Sequence, residues 1–413
     1  MRAMPKEANK SGIFYGWFVV VACFFVTMSL GETMWSFGVF FKPLENEFGW
    51  SRRLVSSGYT AFLLGYSISA VVAGRLADRY TPRSILIICG LLAGLGISLC
   101  SQTRTVNEFR GFLFLAGLGA GSTWTVPITT VQRWFYGRKR AGLALAIVVA
   151  GIGVGALVFA PLINYLILNH GWRNTYLIIG ILFLILIVSS SLVMGPNPSN
   201  VQSPPKKEKG IPAQTTMQDP TILGLLTHPS LLIVALSTCV AIFVFQVLSV
   251  HFVPYATDLG NTSTVAAAAV GLMGALSILG RLLGGAISGR IGWKMTFTGS
   301  HFGLALTLAW LLFSRVEWML YGFAFLYGLF SGIRATALAG ILGDFFGMRS
   351  LGTLMGIISA TGQTSAAFVP YIAGYVFDTV GSYTIVFVAL AVLMLCVSFL
   401  ATTLKKPEMD NVD

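Results

Sequence analysis

The sequence predicts an all-α membrane protein, with twelve transmembrane helices in two pseudo-symmetric bundles of six. Three observations predict it. Of 413 residues, 55% are hydrophobic and 10% charged, whereas soluble domains carry roughly 25% charged residues. Apolar runs of about 20 residues, enough to cross the hydrocarbon core, recur from end to end. The two halves of the chain also match one another at an offset of 211 residues.

The spans follow in order. A basic stretch with Arg2, Lys6 and Lys10 precedes span 1 (about 14–41), which is too long for a cleaved signal peptide and is retained. Lys42, Arg52 and Arg53 lie at the turn into span 2 (about 51–74), and Arg75, Arg79 and Arg83 lead to span 3 (about 84–101). Arg104 and Arg110 mark the approach to span 4 (about 107–132), and Arg133, Arg138, Lys139 and Arg140 the turn into span 5 (about 139–167). Arg173 opens span 6 (about 173–195). Residues 196–227, rich in Pro, Ser, Gln and Lys, read as a cytoplasmic linker between an N-terminal bundle (1–195) and a C-terminal one (228–413). Spans 7 to 12 are placed at about 229–257, 265–289, 295–314, 318–343, 351–377 and 382–404.

Twelve spans put both termini on one side. Eighteen Lys and Arg then fall on that side, including Lys206, Lys207, Lys209, Arg290, Lys294, Arg349, Lys405 and Lys406. Seven fall on the other, where Arg315 joins those at the outer turns. The positive-inside rule places both termini in the cytoplasm of a cell (inner) membrane protein. The net charge of +12 is therefore largely a topology signal, and nucleic acid is not an expected partner. The five cysteines all fall within spans without CxxC spacing, which points to buried small hydrophobes rather than disulfide or metal roles.

The internal repeat rests on three matches. "FFKPLENEFG" (40–49) lies over "HFVPYATDLG" (251–260), "GRLADR" (74–79) over "GAISGR" (285–290), and "FLAGLGAGSTWT" (114–125) over "FLYGLFSGIRAT" (325–336). A duplicated six-span unit implies two bundles with a substrate site between them at the midplane.

The loop "GRLADRYTPR" resembles the signature of the major facilitator superfamily. In that pattern a glycine lets two helices approach while an acid and basic residues form a cytoplasmic latch. Gly74, Asp78, Arg79 and Arg83 sit on the pattern, and Thr81 stands at its usual second glycine. "FYGWFVVVACFF", "GVFFKPLENEFGWSR" and "RWFYGRKRAGLALAIVVAGIGVG" resemble the monocarboxylate transporter family and its bacterial relatives over most of the chain. The resemblance implies proton-coupled symport of small monocarboxylates, L-lactate or pyruvate, by alternating access. It implies no cofactor, and an accessory subunit is not expected to be required. It also implies a carboxylate-binding arginine in span 8, where Arg281 stands. The family's frequent span-1 lysine is Trp35 here, and the acid one turn before its arginine is Ser277.

Chemistry supports Arg281 independently. A guanidinium cannot lose its proton, is costly in a bilayer, and forks to fit a carboxylate. Its repeat counterpart is Ala70, so the fold does not require the charge. A substrate carboxylate and a structural partner, Glu32 or helix carbonyls, are the two readings.

Glu32 is the acid deepest within a span; it could carry the coupled proton, pair with Arg281, or remain a neutral hydrogen-bonded acid. His251 could serve the proton or the substrate, or bond only to backbone. Tyr327 and, more weakly, Tyr66 could hydrogen-bond a small hydroxyacid. Arg334 could gate, snorkel, pair with Asp344, or bind substrate. One central cation favours a monoanion. Arg334 as a second would favour a formate or oxalate exchanger without proton coupling. A transporter-like membrane sensor is the reading from another class. The buried polar residues form no nucleophile–base pair or metal cluster, so an enzyme is not expected. "GIGVG" (151–155) follows no strand, which favours helix packing over a dinucleotide loop.

Overall fold

The computed structural model describes residues 14–77, 80–136, 138, 140–195, 228–347 and 351–406, and all its regular elements are helices. Among the described residues, nine helices are long and apolar enough to cross a membrane. Two of them, Ala141–Val193 and Ser263–Phe313, are 53 and 51 residues long and bend at Gly171 (φ 75°) and Gly292 (φ 80°). Each therefore supplies two spans, 5 with 6 and 8 with 9. Span 11 is divided into Leu351–Ala366 and Val369–Val380, which brings the spans to twelve.

Spans 1 and 4 are also interrupted. Ser36 separates Gly16–Trp35 from Phe37–Phe48, and Gly121 separates Val106–Ala120 from Ser122–Trp134. Both breaks keep helical backbone angles, so the axis continues through them. The repeat is visible in the backbone. Pro43 and Pro254 lie inside equivalent helices, and Gly49 (φ 63°) and Gly260 (φ 88°) follow their ends in a conformation that suits glycine.

Small residues set the helix crossings. A Cβ on Gly31 would collide with the Ile152 carbonyl, and one on Gly155 with that of Met28, so spans 1 and 5 are in backbone contact. Gly153, between them in the "GIGVG" string, faces Gly274 of span 8 instead. The string is thus a packing device with two faces, one inside its bundle and one toward the other.

The apolar core has the shape of a fork. On the side away from the termini one cluster runs through both bundles, joining Phe41, Tyr59 and Phe159 to Phe252, Phe323 and Phe387. Toward the termini it gives way to two separate clusters. One contains Val20, Ala73, Leu86 and Val148, the other Leu231, Phe297, Ile341 and Ile358. The bundles are sealed on one face and parted on the other.

In the span 2–3 loop, Asp78 and Arg79 lie outside the described residues. Gly74 meets only a Thr125 methyl, at 3.9 Å from a built Cβ, so the close helix approach expected there is not made in this conformation. Arg83 is exposed. Thr81 starts span 3 by accepting from the Ser84 N–H (3.4 Å), with Pro82 in the first turn, a capping role that glycine would not supply. Trp134 and Phe135 pack against Phe14, Tyr15 and Trp17, and the Arg138 guanidinium lies 3.8 Å from the Phe14 ring centre.

Candidate substrate site and the closed face

Arg281 sits near the level where the core divides. Its backbone is pinned by span 10: Gly332 abuts its N–H, and the Thr336 hydroxyl donates to its carbonyl at 3.0 Å. The side chain reaches the N-terminal bundle, where Nη1 donates to the Val149 carbonyl of span 5 at 3.0 Å. Nε is buried without a partner. A carbonyl satisfies one of five N–H donors and neutralises no charge. The guanidinium therefore bridges the bundles with binding capacity to spare.

Arg334, on span 10, also has a buried partnerless nitrogen, Nη1, and is near enough to interact electrostatically with Arg281 and with Tyr327. It does not pair with Asp344, whose carboxylate takes Lys406 at 2.9 Å. Tyr327 is buried, stacked on Phe323 and 6.4 Å from the Trp35 ring across the bundle interface. Trp35 also meets Phe245 edge-on at 4.8 Å. Trp35 thus contributes an aromatic contact to the second bundle in the place of a charge. Tyr66 is buried within the N-terminal bundle beside Phe62, and does not join this group.

Glu32, one of the alternative structural partners for Arg281, does not pair with it here; the helix carbonyl of Val149 does. Glu32 points into its own bundle, where it lines a cavity of about 30 Å³ with Phe37, Phe40, Tyr59 and Tyr176. Only 5% of Glu32 is exposed, and its Oε2 has no partner.

His251 belongs to a different assembly. It is fully buried toward the sealed face, with Nε2 2.8 Å from the Pro370 carbonyl and Nδ1 2.8 Å from the Tyr383 hydroxyl. The carbonyl can only accept, so Nε2 carries the hydrogen and Nδ1 accepts from tyrosine. Ser56 of span 2 lies 3.3 Å from Nε2. Both ring nitrogens are occupied, which leaves the imidazole a structural element of the seal.

Around it, charges from the two bundles interlock. Arg52 is 4% exposed; its Nε donates to Glu45 at 3.1 Å, its Nη1 lies 2.6 Å from Asp258, and its guanidinium sits 3.6 Å from the Phe377 ring centre. The Asp258 contact is an ion pair by distance, without the N–H aimed at the oxygen. Lys42 bridges Glu45 (2.9 Å) and Asp258 (2.7 Å). Asp378 of span 11 accepts from the first N–H groups of span 2, at Arg52 (2.8 Å) and Arg53 (3.0 Å), where an anion is favoured by the helix dipole. Beside this lock Glu47 accepts from the Trp172 indole and the Arg173 guanidinium. Those bonds hold its carboxyl below the usual carboxylate range.

Sequence reasoning counted Lys42, Arg52 and Arg53 as topology markers and missed the lock they form. It also missed Gln246, wholly buried in span 7 and bonded to Tyr59 and Gln363. An amide in the middle of an apolar run was the available signal.

A family model described as the Major Facilitator Superfamily matches residues 18–316 and 234–412. Among relatives, the chain is 24% identical to monocarboxylate transporter 13 of Rattus norvegicus, over 94% of this chain and 89% of the relative. It is 26% identical to monocarboxylate transporter 12-B of Danio rerio, over 93% and 87%. Among solved structures, a bacterial homologue of the human lysosomal transporter Spinster superposes with a TM-score of 0.76 at 15% identity, covering 96% of this chain and 98% of that one. A D-xylose–proton symporter superposes with a TM-score of 0.73 at 14% identity, covering 96% and 99%.

Proposed function

The chain belongs to the major facilitator superfamily, and from that premise we propose that it is a secondary carrier for small monocarboxylates, with L-lactate or pyruvate as substrate. It moves them with a proton by alternating access between bundles 1–195 and 228–413, tied by a cytoplasmic linker at 196–227. Both termini lie in the cytoplasm, so the parted face opens inward. The observation that carries this reading is Arg281: a half-buried guanidinium spanning the two bundles, one donor spent on a carbonyl and Nε left over. A carboxylate is the partner that a charged planar fork lacks there. The likeness to monocarboxylate transporters supports the same substrate class. Glu32, buried in its own cavity and free of Arg281, serves as the proton site.

Arg334 supports a second reading. With a second partnerless cationic nitrogen nearby, the site could hold two carboxylates and exchange formate or oxalate without protons.

Uptake of labelled L-lactate into proteoliposomes under an inward pH gradient tests both. Uphill uptake that an uncoupler abolishes, and that Arg281→Ala and Arg281→Lys both lose, is the expected result, because lysine lacks the fork. Exchange of preloaded oxalate that ignores the gradient and fails in Arg334→Ala would establish the second reading instead.

A further inference from the structure

The lining of the Glu32 cavity carries more than a lone carboxyl group. Five aromatic rings face it, and they hold one another in place. Phe40 stacks on Tyr176 with ring centres 3.9 Å apart, and Tyr59 lies 4.9 Å from Phe37 and 5.8 Å from Phe62. Among these rings stands one acid, and among the described residues no Lys, Arg or His lines the cavity. Two polar atoms of the lining residues are buried without a hydrogen-bond partner. They are Glu32 Oε2 and the Tyr176 hydroxyl, on residues 5% and 4% exposed. Tyr176 is near enough to Glu32 to interact with it electrostatically. Leaving buried polar groups unsatisfied is costly, so the pair calls for a guest.

Charge and size indicate which guest. A carboxylate attracts a cation, and so do aromatic faces, because the ring quadrupole is negative above its plane. Ions such as calcium or magnesium need about six or more oxygen ligands, and the side chains here offer few. Besides Glu32, the side-chain oxygens are the hydroxyls of Thr33, Tyr59 and Tyr176. Thr33 already donates to the Leu30 carbonyl at 3.1 Å, and Tyr59 to Gln246 at 3.0 Å. An ammonium group asks for less: a few acceptors for its hydrogens and ring faces for its charge. The cavity measures about 30 Å³. One water needs about 10–15 Å³ of such space, so a guest of about two non-hydrogen atoms fits. Methylammonium has that size, and its methyl group would meet the hydrocarbon of Ile97, Leu113 and Ala116.

We propose that this cavity is a binding site for a small primary ammonium ion, of the size of methylammonium, with Glu32 as its counter-ion, Tyr176 as a hydrogen-bond acceptor and the rings as its cage. The site is built by the N-terminal bundle alone, and Arg281 does not line it. The second bundle covers one wall. Tyr59 bonds to Gln246 of span 7, and a Cβ on Gly38, beside Phe37, would stand 2.9 Å from the Ser249 carbonyl of the same span. Parting of the bundles on the sealed face breaks both contacts and uncovers that wall, so the ion enters from the side away from the termini. It takes the place on Glu32 that the reading above gives to a proton, and the two exclude one another.

Equilibrium binding of radiolabelled methylammonium to the purified full chain in detergent, where the sealed face is free to open, tests the site without any carboxylate present. The expected result is saturable binding of one ion per chain, displaced by ammonium but not by sodium, nor by tetramethylammonium, which exceeds the cavity. Glu32→Gln should weaken binding at least about tenfold, and Tyr176→Phe, which keeps the ring and removes the acceptor, about three- to tenfold. Methylammonium should also raise the melting temperature of the wild type, as a ligand of the folded state does, and leave that of Glu32→Gln unmoved. Each variant is compared with itself, so a loss of basal stability does not mimic the result. No saturable binding, or equal binding in Glu32→Gln, overturns the site and leaves the proton reading of Glu32 standing. Displacement by sodium as effective as that by ammonium overturns the choice of ion in favour of a metal.

Discussion

Replacing Asp258 by asparagine removes one carboxylate from the lock and leaves its shape. In the sealed form Asp258 faces Arg52 at 2.6 Å and Lys42 at 2.7 Å, and Glu45 is the other carboxylate paired with both cations. Interactions of this kind contribute about 1.5–3 kcal/mol when a charge is involved. Arg52 is 4% exposed but Asp258 is 30% exposed, so water screens part of the attraction. About 1–2 kcal/mol remains, which moves the balance between sealed and open forms about 5- to 30-fold toward opening. The reporter is a single cysteine at Ser249, 3% exposed beneath the lock, in a background without the five native cysteines. Its labelling by a membrane-impermeant maleimide from the face away from the termini should accelerate by that factor in Asp258→Asn. An unchanged rate would refute the lock as a determinant of the conformational balance.

Two further predictions concern packing and pH. Gly155→Ala places a methyl group against the Met28 carbonyl and should cost about 1–3 kcal/mol; its melting temperature in detergent should drop well below that of Gly285→Ala, whose methyl enters open space. Glu47 has a lowered folded-state value, chiefly through the Trp172 bond and then Arg173. Its contribution to stability is present above the ordinary carboxylate value and is lost as pH falls through the lowered one. Thermal melts of wild type and Glu47→Gln should converge on acidification and diverge toward neutrality.

Much of the fold could be read from the sequence because the bilayer imposes it. Each span needs its apolar length, and cations count the loops. The matched Pro43 and Pro254, and the terminating Gly49 and Gly260, show the repeat down to backbone angles. The site was legible only in part. Arg281 stood out because a permanent charge in a span demands a reason, and the structure gives it a position between bundles. Its partner could not be read: Glu32 is equally conspicuous, yet it turns into a cavity of its own. The lock was hidden because attraction between loop charges depends on how two bundles meet. Gln246 and Gln363 were passed over because a neutral amide interrupts an apolar run without marking the charge pattern, and its partners depend on how the two bundles meet.

The lock also makes the two halves non-interchangeable. Glu47 and Asp258 occupy the same place in the repeat, but Glu47 holds its own bundle together and Asp258 reaches into the other. The counterparts of Lys42, Arg52 and Asp378 are Val253, Ser263 and Ile167, none of them charged. Two copies of the first half would bring together cations without Asp258 or Asp378, and two copies of the second would bring together those acids without their cations. Duplicated polypeptides risk pairing with their own kind, and unlike charges at equivalent positions act against it. The arrangement that keeps one face sealed is therefore also an address, directing the second bundle to the first as the chain assembles.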